Sequence, residues 1–413
     1  MEIAKGYKQT EVGVIPKDWQ LKKLREVGRL ITETINPQLS LDNSYYEYSM
    51  PSFDEGKSPI LTLGRNMHSN RFIISAPVLL FNKLNVRQRR IWLVNECEPN
   101  SICSMEFLPF ISSQLDLAFL RYYIDTDKIT NYFIGLSKGT SNSQKRISPS
   151  DFLDLEIPFP PILEQKAIAK KLFEIDELIA GFGEQIEKKR QIKEGAMQQL
   201  LTGKTRLPGF TQPWREVQIG KIGYTYPGIT GKSKDDFNRG DARYITFLNV
   251  LNNPVIDTSI FERVNISPTE GQNAVHKGDL FFNTSSETPE EVGICAVLNE
   301  EIEDLYLNSF CFGYRLTDDS ILGHYLAYFW RSKRGREIMT SLAQGATRYN
   351  LSKAYFNKVN LTIPQTKDEQ IAIVDVLNTM DDEICQLEAE RDKYTLIKQG
   401  MMQELLTGKI RLV

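Results

Sequence analysis

The chain repeats itself once, at a constant offset of 205 residues. The run GAMQQLLTGKTRL, from Gly195 to Leu207, returns as GMMQELLTGKIRL, from Gly400 to Leu412, with ten of thirteen positions identical. Upstream, EQKAIAKKLFEIDELI (Glu164 to Ile179) aligns at the same offset with EQIAIVDVLNTMDDEI (Glu369 to Ile384). An offset of about half the 413 residues is a duplication of the whole chain, not a short solenoid repeat. Whatever one half folds into, the other must fold into as well, and two related halves can present two related surfaces to one partner.

Between the repeated blocks the composition changes. Residues 1–159 and 205–364 mix short β-branched or aromatic runs with turn clusters; examples are FIISAPVLLF (Phe72 to Phe81), RRIWLV (Arg89 to Val94), DLFFNT (Asp279 to Thr284) and GICAVL (Gly293 to Leu298). A few helical stretches interrupt them, among them SQLDLAFLRYYI (Ser113 to Ile124) and GHYLAYFWRS (Gly323 to Ser332). Each half therefore reads as a globular α+β domain, closed by a strand that ends in proline, LEIPFPP (Leu155 to Pro161) and NLTIPQT (Asn360 to Thr366). Helical regions follow over 160–204 and 365–413.

Both helical regions carry a heptad seam. In the first, Ile168, Leu172, Ile175, Ile179, Phe182, Ile186, Ala196 and Leu200 step by 4 and 3, with Lys189 and Lys193 in the series. The second has Ile373, Leu377, Met380, Ile384, Leu387, Tyr394, Met401 and Leu405, interrupted by Arg391 and Lys398. One stripe alone fits a helix packed on its own domain. Two matched stripes bury each other most simply, and a two-fold relation between the halves makes them antiparallel, a rod of roughly 50 Å. Both end at T-G-K, where Gly203 and Gly408 suit the left-handed residue that closes a helix.

Catalytic constellations are not found in the sequence. Gly231-Lys232-Ser233 resembles the end of a phosphate loop, but Tyr226 stands where its first glycine belongs; Thr202-Gly203-Lys204-Thr205 fails likewise at Gln198. His68, His276 and His324 lie far apart with no cysteine or carboxylate at ligand spacing. Asp154 with Glu164-Gln165-Lys166 imitates a nuclease pattern, yet the second copy reads Glu369-Gln370-Ile371, so an acidic residue at a helix N-terminus accounts better for both glutamates. Neither a dinucleotide fingerprint nor an N-P-P-Y-like adenine-methylation motif is present, and the chain reads as non-catalytic. Five cysteines in no C-x-x-C pair point to a reducing compartment. With no signal-like segment in MEIAKGYKQTEVGVIPKDW and no run of 18 apolar residues, the expected location is the cytosol.

The overall charge is near neutral, 50 Lys and Arg against 53 Asp and Glu, but its distribution is not even. Lys57 to Asn95 contains no acid while holding Lys57, Arg65, Arg71, Lys83, Arg87, Arg89 and Arg90. Lys128 to Ser150 is also acid-free, with Lys138, Lys145 and Arg146 in GLSKGTSNSQKRIS. In the second half, Ile338 to Lys367 is acid-free, opens on LAQGATRYNLSK, and follows Arg331, Lys333, Arg334 and Arg336. One basic window is ordinarily a solvated face. Its recurrence shortly before the strand that leads into each long helix favours phosphate contacts, with the interleaved Asn, Gln, Ser and Thr suited to base edges. SETPEEV (Ser286 to Val292) and NEEIED (Asn299 to Asp304) collect acids elsewhere.

Taken together, Y-K-x-T-E-V-G-V-I-P-K-D-W (Tyr7 to Trp19), I-P-x-P-P-x-x-E-Q-x-x-I-A (Ile157 to Ala169) with its second copy, the two L-L-T-G-K-x-R-L blocks, L-P-G-F-x-x-P-W (Leu207 to Trp214), LLFNKLNVRQRRIWL and GDLFFNT resemble the specificity subunits of type I restriction-modification systems. The resemblance covers essentially the full length. It implies target-recognition domains over 1–159 and 205–364, separated by helical spacer regions over 160–204 and 365–413, with each domain reading half of a bipartite duplex DNA target. It further implies two methyltransferase subunits that bring S-adenosylmethionine to an adenine in each half, and restriction/translocase subunits that use ATP with Mg²⁺. No cofactor or metal is implied for this chain itself, and no membrane. Carried over, the positions nearest DNA are Lys83, Arg87, Arg89, Arg90, Lys138, Lys145 and Arg146 in the first half, and Asn283, Thr284, Ser285, Arg348, Tyr349 and Asn350 in the second. The run Arg87 to Arg90 has no counterpart after Asn283, so the halves should read different sequences. A recognition subunit of another DNA-modifying assembly, or a coiled-coil scaffold without DNA, are the alternatives.

Overall fold

A computed structural model describes residues 5–141, 143–267 and 269–412. Asn142, inside the first acid-free polar loop, lies outside the described residues, as does the start of the opening segment. The chain divides into two compact units, one of residues up to Phe182 together with those from Glu390 onward, the other of Gly183–Ala389. Each long helix is thus shared, with its first part in one unit and its second part in the other.

The two units are built on one plan, as the duplication demands. In unit 1 an antiparallel sheet runs in the order Ile91–Val94, Val78–Asn82, Phe107–Ile111, Arg29–Leu30. In unit 2 the same order is Cys295–Val297, Leu280–Asn283, Cys311–Leu316, Gly223–Pro227. A second sheet in each contains one parallel pair, Ser101–Ser104 with Ser44–Tyr48 and Leu305–Leu307 with Phe237–Ile245. The proline-ended strands pair with strands near the start of their units, Glu156–Phe159 with Gln20–Lys23 and Asn360–Ile363 with Arg215–Gln218. The hydrophobic runs VLLF and LFF are fully buried, and their aromatic rings seed equivalent clusters. Phe81 meets Phe152 at 5.0 Å, and Phe282 meets Phe356 at 5.1 Å.

The long helices span Ile162–Leu200 and Lys367–Leu405, 39 residues each. Within unit 1, Phe182 stacks on Tyr394 and Asp176 meets Lys398 at 2.5 Å, so the two segments run antiparallel. Within unit 2, Lys189 meets Glu383 at 2.5 Å and Lys193 pairs with Asp381, again antiparallel. The lysines that interrupt the seams are therefore answered by carboxylates on the facing helix, which explains how the stripe tolerates them. Gly203 and Gly408 end the helical regions with φ of 70° and 71°. A Cβ at Gly408 would lie 2.6 Å from Pro16, so glycine is required there for packing as well as for conformation.

The repeated motifs converge on a buried lock. In unit 1 the Trp19 indole donates to Glu164 at 3.0 Å, and Arg411 grips the same carboxylate at 2.6 and 2.9 Å while holding Asp18. In unit 2 the Trp214 indole donates to Glu369 at 3.2 Å, and Arg206 grips it at 2.5 and 2.8 Å. Both glutamates are essentially buried. Each sits in the first turn of its helix, as expected, but a helix terminus is only part of its environment; the buried charge is held by a guanidinium and an indole. The arginine closing each unit lies just beyond the end of the other repeat's helix. Next to the lock, Gln165 accepts from the Asp116 N–H and Gln370 from the Leu322 N–H, both at 2.8 Å.

Candidate nucleic-acid interface

The edge that carries the candidate residues begins where a buried strand runs out. In unit 1 that strand ends at Asn82, which is buried, and the next residue, Lys83, donates its N–H to the Glu106 carbonyl at 2.9 Å and accepts from the Ile147 N–H at 3.2 Å. In unit 2 the strand ends at buried Asn283. Thr284 then donates to the Phe310 carbonyl at 3.0 Å and accepts from the Leu351 N–H at 2.9 Å. The same backbone frame therefore places Lys83 opposite Thr284, Glu106 opposite Phe310, and Arg146 opposite Asn350 in the two units.

Unit 1 gathers four of its seven candidates at this frame. Arg146 bridges to both Leu84 and Lys138, and the Asn85 N–H reaches the Lys145 carbonyl at 2.8 Å, so Lys83, Lys138, Lys145 and Arg146 share one edge. Arg146 is held by Glu106, with its Nη2 at 3.0 Å from the carboxylate. Arg87 projects, exposed, from a turn over Val86–Gln88 flanked by left-handed Asn85 and Arg89. Arg89 pairs with Asp127, and Arg90 forms a fork on Asp54 at 2.8 and 2.6 Å that holds the Asp54 carboxyl below its usual range. These three ion pairs were invisible to the acid-free windows because their carboxylates lie 36 to 40 residues away along the chain.

In unit 2, Ser285, Arg348, Tyr349 and Asn350 come together. Ser285–Ser286 pairs with Tyr349–Leu351, with Ser285 across from Asn350, and Ala343–Gln344 completes a three-stranded sheet. Arg348 donates to the Ser285 hydroxyl at 3.3 Å. Asn283 must be withdrawn from the set. Its amide donates to the carbonyls of Ser285 and Glu291 and accepts from the Ile294 N–H at 2.6 Å, and the residue is fully buried, so it is out of reach of a base. It fastens the loop that carries Ser285.

The basic residues before the second acid-free window are also partly internal. Arg331 donates to the carbonyls of Cys295, Val250, Leu251 and Asn253, and Arg336 to those of Gly293, Glu290 and Val292. Burial lowers both guanidiniums, Arg336 to about 10. They clasp loops and are not free cations. Lys353 ends the stretch LAQGATRYNLSK but is not among the candidate positions; it is half-buried near the same sheet, and its place in a cleft has no local signature.

Asp154, part of the nuclease-like pattern, pairs with Arg25 at 2.7 Å. Among the described residues no cluster of three or more His, Cys, Asp or Glu side chains could hold a metal ion, and no helix is long and apolar enough to cross a membrane.

The type I restriction modification DNA specificity domain matches this chain twice, over residues 16–189 and 212–395. A putative type I restriction enzyme MjaX specificity subunit from Methanocaldococcus jannaschii is 24% identical, across 98% of this chain and 97% of its own. The type I restriction enzyme EcoKI specificity subunit from Escherichia coli is 23% identical across 54% of this chain and 49% of its own. Among solved structures, a chain from a study of complex assembly and conformational transition of the type I R-M system superposes with a TM-score of 0.62 at 19% identity, covering 96% of this chain and 99% of the other. The S subunit of the type I restriction-modification system of M. genitalium gives 0.56 at 16% identity, covering 98% of each. At such identities the structural likeness speaks for the fold.

Proposed function

This chain belongs to the family of type I restriction-modification DNA specificity subunits, and from that premise we propose that each of its two units reads one half of a bipartite duplex target. The observation that carries the reading is the frame shared by the two edges. One backbone arrangement presents Lys83, Lys138, Lys145 and Arg146 in unit 1 and Thr284, Ser285, Arg348, Tyr349 and Asn350 in unit 2. A conserved scaffold with exchanged side chains is what two readers of different sequences need. Lys and Arg supply sequence-independent affinity through phosphates, while Asn, Ser and Arg forks discriminate base edges.

The long helices, continuous from one unit into the other, set the gap between half-sites and offer docking faces for two methyltransferase subunits. Those subunits bring S-adenosylmethionine and modify an adenine in each half; restriction/translocase subunits with ATP and Mg²⁺ add cleavage. This chain carries no chemistry of its own. The complex with its methyltransferase should bind duplex DNA with a steep salt dependence and methylate one bipartite sequence, identified by sequencing the methylated bases of a host that expresses both. Methyl transfer by this chain alone, or a complex indifferent to DNA sequence, would overturn the reading.

A further inference from the structure

Unit 2 holds a cleft of about 430 Å³ beside its reading sheet, lined by Pro227 to Lys232, Phe237, Thr284, Ser309, Cys311 and Lys353. Two lysines line it, and they differ. Lys232 is nearly buried and answered by Glu270 at 2.6 Å. Lys353 is half-buried, and among the described residues neither a carboxylate nor a hydrogen-bond acceptor meets its Nζ; the Phe312 ring lies 5.2 Å from the nitrogen. Burial lowers its pKa with no carboxylate to offset it.

A partly desolvated cation without a counter-ion is costly to maintain for stability alone. It is well placed for an anion that arrives with a ligand. Lys353 lies two residues past Leu351, whose N–H donates to the Thr284 carbonyl, so the cleft opens beside Ser285 and Asn350. In unit 1 the equivalent position after the helix-capping serine, Ser148 against Ser352, is Pro149, and the cations there stand on the edge instead. We propose that Lys353 is a phosphate-binding residue of unit 2, holding a DNA phosphodiester at the mouth of this cleft while Ser285 and Asn350 face the bases. The proposal rests on the reading of the chain as a DNA specificity subunit. A compact ammonium suits a phosphate as a point charge, whereas a base edge is better read by a fork.

The test uses the complete complex with its methyltransferase, wild type against Lys353→Met, which keeps the aliphatic stem over Phe312. Binding to the cognate duplex and to a duplex with a scrambled second half-site is measured across a salt series, alongside thermal unfolding. Loss of one phosphate contact should lower the slope of log affinity against log salt by about 0.9, so that the penalty between 50 and 200 mM salt shrinks by about 3.5-fold, equally on both duplexes. Lys353→Arg should restore the slope. An unchanged slope in Lys353→Met overturns the proposal, as does a loss confined to one base position, or a loss that tracks a lowered melting temperature and is not restored by Arg. If inorganic phosphate stabilises the wild-type chain through Lys353 while the DNA slope is unchanged, the cleft holds a free anion and not DNA. Failure of the wild-type complex to bind DNA at all would instead remove the specificity-subunit reading on which the proposal stands.

Discussion

Units 1 and 2 agree where the chain must close and differ at the edge that carries the candidate residues. The Trp–Glu–Arg lock, the adjoining glutamine and the sheet order recur, and a buried asparagine ends the central strand in both units. At the reading frame the pairs diverge: Lys83 against Thr284, Glu106 against Phe310, Arg146 against Asn350, Pro149 against Lys353. Unit 1 holds its cations on the surface with carboxylates recruited from distant parts of the chain. Unit 2 offers neutral polar side chains on a small sheet and keeps one unanswered lysine in a cleft. A frame fixed by backbone hydrogen bonds, present in both units, tolerates such exchange.

The largest effect should come from exchanging a reader without disturbing a lock. Replacing residues 215–363 by the equivalent segment of a relative leaves Arg206, Trp214 and Glu369 in place. The second half of the methylated sequence should change completely and the first not at all, since each wrong base pair costs roughly 1–3 kcal/mol and several are altered together. Sequencing the methylated sites of the host reads this directly; a simultaneous change in both halves would break the comparison between independent readers. Next in size are the locks. Arg411→Ala and Arg206→Ala each strand a buried glutamate, and the cost should be about 3 kcal/mol, the lower end for a broken buried pair because each guanidinium is 26% exposed. Urea unfolding should show equal losses in the two variants, with no change in the sequence methylated by whatever complex still forms. A loss in one unit only would mean that the locks are alike in geometry but not in load.

Much of this was legible from residue order. The duplication gave two α+β units, the seams gave antiparallel helix segments within each unit, and the T-G-K signals gave the left-handed glycines. The lock was not legible, although all its members lie in the repeated motifs, because the arginine that closes each unit comes from the end of the other repeat's helix. A reader of one repeat sees Trp19, Glu164 and Arg206, and only the fold joins Trp19 and Glu164 to Arg411 instead. The charge windows missed three ion pairs for a related reason. Absence of acids along the chain says nothing about acids across space, and Asp54, Asp127 and Glu106 all arrive from outside the windows. Asn283 misled because the same amide that reads an adenine also satisfies a turn of backbone, and burial decides between the two.

That distinction supplies the third test. Asn283→Ala removes three hydrogen bonds inside unit 2 and leaves buried groups without partners, which should cost roughly 1–3 kcal/mol of stability while sparing the sequence read. Asn350→Ala, on an exposed strand position, should do the reverse, relaxing one position of the second half-site by about 1–3 kcal/mol at unchanged stability. Paired melting curves and binding to duplexes varied one base pair at a time separate the outcomes. If Asn350→Ala lowered the melting temperature and left every base preference intact, the small sheet would be structural and the assignment of bases to it would fall.

The smallest effect probes why unit 1 keeps a carboxylate where unit 2 has an aromatic ring. Glu106 grips Arg146 through both Nε and Nη2, at 3.1 and 3.0 Å, yet the pair is substantially exposed, so its own contribution to stability is at most about 1 kcal/mol. A DNA phosphate approaching Arg146 must compete with that carboxylate and is repelled by it. Glu106→Gln should therefore tighten DNA binding, by up to about fivefold at low salt if the whole of that pair energy, roughly 1 kcal/mol, is released. Arg146→Ala should weaken binding to all sequences and reduce the salt slope by about one unit. The double variant should behave as Arg146→Ala with a smaller benefit from the lost acid, since the two residues touch and their effects do not add. Should Glu106→Gln weaken binding and relax a single base position, the carboxylate would be a positioning group that aims the Arg146 fork at a base, and unit 1 would read sequence at the point where unit 2 presents Asn350.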